Sequence, residues 1–148
     1  MSMNPDGYLS ENSLLIVTGS TLRAEQADRP LAYRLKSAIE ELLSQQSSEA
    51  TVVVLSDLWY LNSEALQARP MISVGGPGVN AVSAHLYQRL HNALVIDNAL
   101  TIQMDQQLLD LRAVIWGINH QTTVEALEIF IERGYLQRFL GAVLARSP

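Results

Sequence analysis

The sequence contains no cysteine. That absence removes disulfide cross-links, thiolate metal sites and cysteine nucleophiles together. Lysine is nearly absent too, with Lys36 alone against nine arginines. No apolar run approaches the ~20 residues that a membrane-spanning helix needs. The opening stretch Met1-Ser2-Met3-Asn4-Pro5-Asp6-Gly7 has neither the basic nor the apolar block of a signal peptide. A cytoplasmic protein with no membrane partner is therefore expected. Positive charge is in deficit, 10 Lys and Arg against 15 Asp and Glu, for a formal net charge of -5. That balance argues against a nucleic-acid partner held by general electrostatics. Neither the P-loop pattern G-x-x-x-x-G-K-[ST] nor the nucleophile elbow G-x-S-x-G occurs. Internal repeats, low-complexity tracts and linkers are also missing.

What is present is a chain of 148 residues, 48% hydrophobic. That is enough for one compact domain and short for two. Residues 1–12 show no periodicity and read as a flexible N-terminal tail, and residues 13–148 read as a single α/β domain. Leu14-Leu15-Ile16-Val17 is a buried strand closed by Thr18-Gly19-Ser20-Thr21. Residues 22–29 are charged and polar and read as a loop. Pro30 suits the first turn of a helix, and Leu31, Leu35, Ala38, Ile39 and Leu42 then predict an amphipathic helix over 30–45. Thr51-Val52-Val53-Val54-Leu55 is a β-branched strand ending at Ser56-Asp57. Asn62-Ser63 offers the cap of a short helix that Arg69-Pro70 stops. Further strands are expected at 71–74, 93–97 and 112–116, with a helix capped by Asn80 between the first two. Leu100, Ile102 and Met104 alternate with Thr101, Gln103 and Asp105, which marks a strand with one wet face, antiparallel or at an edge. Thr122 and Glu125 read as the capping box of a final helix that Gly134 ends or kinks. The expected fold class is α/β: a Rossmann-like, three-layer helix–sheet–helix sandwich, its sheet largely parallel with an antiparallel edge strand.

Ligands of open parallel sheets bind beyond the carboxyl ends of the strands. Four of these ends carry small and polar residues that should converge. The ligand-binding candidates are Thr18, Gly19 and Ser20 after the first strand, Asp57 after the second, Gly75, Gly76, Gly78 and Asn80 after the third, and Asn119 after the last. The alternative reading is that these residues only make turns and caps. Asp57 and His120 are the catalytic candidates, His120 because an imidazole at a strand end can serve as a base near neutral pH. Arg23 or Arg29 could clamp a carboxylate or phosphate, or pair with Glu25 and Asp28 within their own loop. Trp59 and Tyr60 either wall a pocket or join the core. Gly76-x-Gly78-x-x-Ala81 fits G-x-G-x-x-G/A, and Asp97 follows Gly76 by 21 residues, the place of a ribose-binding acid. Only 51 residues follow Asp97, too few for a second mononucleotide half. Pro77 also removes an amide donor, so no cofactor is assigned. His85 and His91, six apart on one helix, are not neighbours on a face, and no metal site is expected.

The block Ile72-Ser73-Val74-Gly75-Gly76-Pro77-Gly78-Val79-Asn80 resembles the VGGPAVN segment of archaeal S-layer proteins and related cell-surface domains. Ala113-Val114-Ile115-Trp116-Gly117, followed by Thr122, Thr123 and Ala126, is similar to the segment that closes the same unit. The resemblance spans residues 71–130. It implies an α/β unit whose glycine turn is architectural, without catalysis.

Three functions are consistent with these readings. The first is a domain binding a small anionic or nucleotide-like ligand at the carboxyl ends of its strands. The second is a non-catalytic structural or protein-interaction module forming a homo-oligomer. A homodimer is favoured by the apolar Leu136, Phe139, Leu140, Val143 and Leu144 near the chain end. The third is a small nucleoside- or sugar-processing enzyme using Asp57, His120 or Asp28.

Overall fold

The structure, a computed structural model, describes residues 12–146. The expected tail lies outside these residues apart from Asn12, whose carbonyl accepts the Thr51 N–H at 3.1 Å.

Strand β1 (Ser13–Thr18) is buried along its whole length, as a continuous apolar run requires. Helix α1 (Leu22–Ala27) follows, capped by Thr21, which accepts the Ala24 N–H at 3.2 Å. The sequence reads this stretch as a loop. The helix is hidden because only Ala24 of its six residues is buried, which leaves no apolar stripe to detect. Asp28 alone separates it from α2 (Arg29–Gln45), which starts one residue ahead of the expected 30–45 and buries Leu31, Ala32, Leu35, Ile39 and Leu43. Strand β2 (Thr51–Ser56) runs directly into α3 (Asp57–Leu61), capped by Ser56. The expected short helix is α4 (Glu64–Gln67), capped by Ser63. Strand β3 (Met71–Val74) leads through the glycine turn to α5 (Ala81–Leu86), capped by Asn80. Strands β4 (Asn92–Ile96) and β5 (Leu100–Met104) form a hairpin, and β6 (Arg112–Gly117) precedes α6 (His120–Glu132) and α7 (Tyr135–Ala145). The capping pair differs from the expected Thr122–Glu125. Asn119 accepts the Thr122 N–H at 2.9 Å, while Thr122 Oγ1 accepts the Asn119 N–H at 3.1 Å. Helix α6 therefore begins at His120, three residues before a helix capped by Thr122 would.

The six strands form one mostly parallel sheet in the order β2-β1-β3-β6-β5-β4. The pairs β1–β2, β1–β3 and β3–β6 are parallel, and β5 runs antiparallel to both neighbours. The strand at 100–104 is antiparallel as expected, but it has no wet face. All five of its residues are buried, and β4 takes the edge instead. The amide of Gln103 is matched from inside on its donor side, Nε2 donating to Tyr87 O at 2.9 Å and Leu90 O at 3.1 Å, while its Oε1 is buried without a partner among the described residues.

Alternate residues of β1 enter two separate cores. Leu14 and Ile16 join Leu35 and Ile39 of α2, Phe130 of α6 and Phe139 of α7. Leu15 and Val17 join Tyr60, Leu66, Val82 and Leu86 from α3, α4 and α5. The apolar residues from which a homodimer is expected are taken up within the chain: Leu136, Phe139 and Leu140 are buried, and Val143 and Leu144 pack against the first core. Among the described residues no helix is long and apolar enough to cross a membrane.

Candidate functional site

Parallel pairing of β2, β1, β3 and β6 carries their carboxyl ends to one rim. Ser20, Asp57, Pro77 and Asn119 therefore share a border. From β1 the chain passes to β2 on one side and later to β3 on the other. Loops leaving two such strands diverge, and crevices in open α/β sheets form at this reversal.

One part of the rim is closed by its own contacts. Gly19 is buried, and a Cβ there would fall far inside the van der Waals surface of Val79 O and 2.9 Å from the Ala24 Cβ. Glycine is needed because the turns after β1 and β3 touch backbone to backbone. Asn80, 1% exposed, ties the same two strands. Its Nδ2 donates to Val17 O at 3.3 Å and Val74 O at 3.0 Å, and its Oδ1 accepts the N–H groups of Val82 (2.9 Å) and Ser83 (3.1 Å). Asp57 is buried and accepts three donors: the Ser20 hydroxyl, the Leu58 N–H and the Ala81 N–H, the last two at 2.8 Å. Thr18 is also buried, its hydroxyl without a hydrogen-bond partner among the described residues. Thr18, Gly19, Ser20, Asp57 and Asn80 thus lie outside the open part of the rim.

The open part is a cleft of about 260 Å³ between the β1, β3 and β6 ends. Arg23 and Asp28 line it from the α1–α2 side, and the backbone of Gly76-Pro77-Gly78-Val79 from the glycine turn. Trp116, Ile118, Asn119 and His120 complete it from β6 and the start of α6. Gly76, Gly78, Asn119 and His120 are accordingly the candidates that meet in one place. Gly75 lies beneath Asp28: its φ is +111°, and a Cβ on it would sit 2.7 Å from Asp28 Oδ2.

Asp28 is 6% exposed. Its backbone is helical (φ -95°, ψ -31°), and its side chain makes no capping bond to α2. Among the described residues no donor reaches its carboxylate, and no ion pair includes it. Burial pushes its carboxyl above the usual carboxylate range, and the nearby His120 and Arg23 pull in the opposite direction. The ion pairing expected within residues 23–29 is confined to Arg29 and Glu25, at 3.6 Å. Arg29 also stands 5.6 Å over the Tyr33 ring and does not line the cleft. Trp59 is partly exposed on α3, whereas Tyr60 belongs to the second core.

The dinucleotide pattern comes apart in three dimensions. Asp97 and Asn98, both at φ 53°, form the exposed tip of the β4–β5 hairpin. Two strands, β6 and β5, separate that hairpin's outer strand from β3, so Asp97 cannot serve a ligand held at the glycine turn. Among the described residues no cluster of three or more His, Asp or Glu side chains could hold a metal ion.

The burial of Asp28 was not readable from sequence. An aspartate just ahead of Arg-Pro and an apolar stripe has the signature of a helix cap, and only the direct run from α1 into α2 turns it away from that task. Trp116 was legible as the end of a strand but not as a wall of the cleft. No protein-family model matches the chain, and no curated protein matches it.

Proposed function

We propose that this chain is a Rossmann-like, three-layer α/β domain that binds a small anionic ligand, phosphate- or carboxylate-bearing, in the cleft at the β1, β3 and β6 ends. The observation that carries this reading is the convergence of Arg23, His120 and the start of the thirteen-residue helix α6 on one concavity. Of the first-turn amides of α6, that of Thr122 is taken by Asn119 Oδ1, while those of His120 and Gln121 have no intrahelical acceptor, and the helix dipole places partial positive charge beside them. Arginine adds a planar donor fork matched to oxyanions. The small volume, about 260 Å³, lies just below the roughly 300–1,000 Å³ of sites that take drug-sized molecules. It suits one phosphorylated or carboxylated fragment better than a dinucleotide.

Titration with inorganic phosphate, followed by amide chemical shifts, tests the reading. Shifts should concentrate at Gly76, Gly78, Asn119 and His120 and weaken in Arg23→Ala. Amides that stay put at millimolar phosphate refute it.

A further inference from the structure

We infer that Asp28 recognises a hydroxyl group on the ligand, so that the cleft takes a hydroxyl-bearing phosphate ester, of the size of a sugar phosphate, in preference to a bare oxyanion. The inference rests on the anion-binding reading above and adds a second point of recognition to it.

A carboxylate with no protein donor must be met by whatever fills the space it opens to, and the Asp28 oxygens open to the cleft. Asp28 is 6% exposed, lines the cleft and has no donor among the described residues. It stands where an aspartate ordinarily caps a helix, yet it makes no such bond. Room for it is left from below. Gly75 lacks the Cβ that would meet Asp28 Oδ2 at 2.7 Å.

The surroundings select the kind of donor. Asp28 shares the cleft with two basic side chains, Arg23 and His120. A cationic amine on the ligand would be repelled by the Arg23 guanidinium, whereas a hydroxyl donates without adding charge. The same two side chains and the α6 start hold the anionic end. Trp116 supplies an apolar wall for the carbon skeleton between the two ends. A phosphate on a short polyol satisfies these requirements together.

Binding of ribose 5-phosphate and methyl phosphate to the full chain, measured by calorimetry, provides the test. The two share a phosphate monoester, and only the first carries free hydroxyls. Wild type should hold ribose 5-phosphate at least about tenfold more tightly, the scale of hydrogen bonds to a charged group. Asp28→Ala should abolish that preference and leave methyl phosphate no weaker than before, while Arg23→Ala should weaken both. Equal affinities in wild type, or a preference that survives Asp28→Ala, overturn the inference and leave anion binding intact. If neither phosphate binds, both readings fall. A second measurement guards against a merely structural carboxylate. A carboxyl raised by burial stabilises the fold when protonated, fully so below its ordinary value of 3.8, and that contribution is lost as pH rises through the raised folded value. Asp28→Asn, which keeps the shape without the charge, should therefore melt at pH 7 at or above wild type. A clear drop in its melting temperature would show that the carboxylate holds the fold, and overturns the inference.

Discussion

Replacing Asn80 separates two tasks that one side chain performs. Its Oδ1 caps α5 by accepting from Val82 and Ser83, and its Nδ2 bridges the carbonyls of Val17 and Val74 at the ends of β1 and β3. Loss of an N-cap costs typically ~1 kcal/mol. Leaving buried groups without a partner adds about 1–3 kcal/mol for each group that water cannot reach. Asn80→Ala loses the cap and strands the two carbonyls at a residue that is 1% exposed, so a destabilisation of about 3–7 kcal/mol is expected. Serine caps nearly as well as asparagine but is too short to span two strand ends. Asn80→Ser should therefore recover ~1 kcal/mol of the alanine loss and no more. Asn80→Asp keeps the capping oxygen and turns a second oxygen toward both carbonyls, so it should be no more stable than alanine. Urea unfolding followed by tryptophan fluorescence measures all three variants, with an unchanged m-value confirming that the same surface unfolds. In thermal melts each kcal/mol corresponds to about 2–4 °C for a chain near this size. If the serine variant matched wild type, the bridge between β1 and β3 would contribute nothing. If the aspartate variant did, the donor assignment at Nδ2 would be wrong. Either result refutes the reasoning.

Two further outcomes follow from the same geometry. Gly19→Ala pushes a methyl into Val79 O and Ala24, and should cost about 1–3 kcal/mol, the usual range for overpacking; a melt unchanged from wild type would mean that the two turns are not in contact. Asp105 accepts the N–H groups of Gln107, Leu109 and Asp110, which hold its carboxyl below the ordinary value of 3.8. A lowered folded value gives stability that is present above 3.8 and lost as pH falls through the folded value. Asp105→Asn should therefore be less stable than wild type at pH 7, with the gap closing in acid, and a gap independent of pH would contradict the role of the charge.

The sequence made legible the features that depend on direction along the chain. The continuous apolar run at 14–17 and the short segment Met71-Ile72-Ser73-Val74 read as strands, and their Gly- and Ser-rich ends placed the rim where the parallel pairing puts it. Features that depend on neighbours were not legible. Alternation at 100–104 implied a wet face, but Tyr87 and Leu90 supply the carbonyls that bury Gln103. Asp97 had the spacing of a ribose acid, yet its positive φ and that of Asn98 make it a hairpin tip, a conformation open to such residues. Within the rim, composition could not separate polar residues bound to the protein from those facing outward. Asp57 and Asp28 are both buried aspartates beside the same strand ends, and only three-dimensional contacts distinguish three donors from none.

That division has an evolutionary consequence. The seam where Gly19 meets Val79, with Asn80 and Asp57 behind it, tolerates little drift, because each change there disturbs two strands at once. Arg23 and His120 project from exposed positions on separate helices. Descendants of this domain can therefore trade one ligand for another at those positions while the scaffold beneath stays as it is.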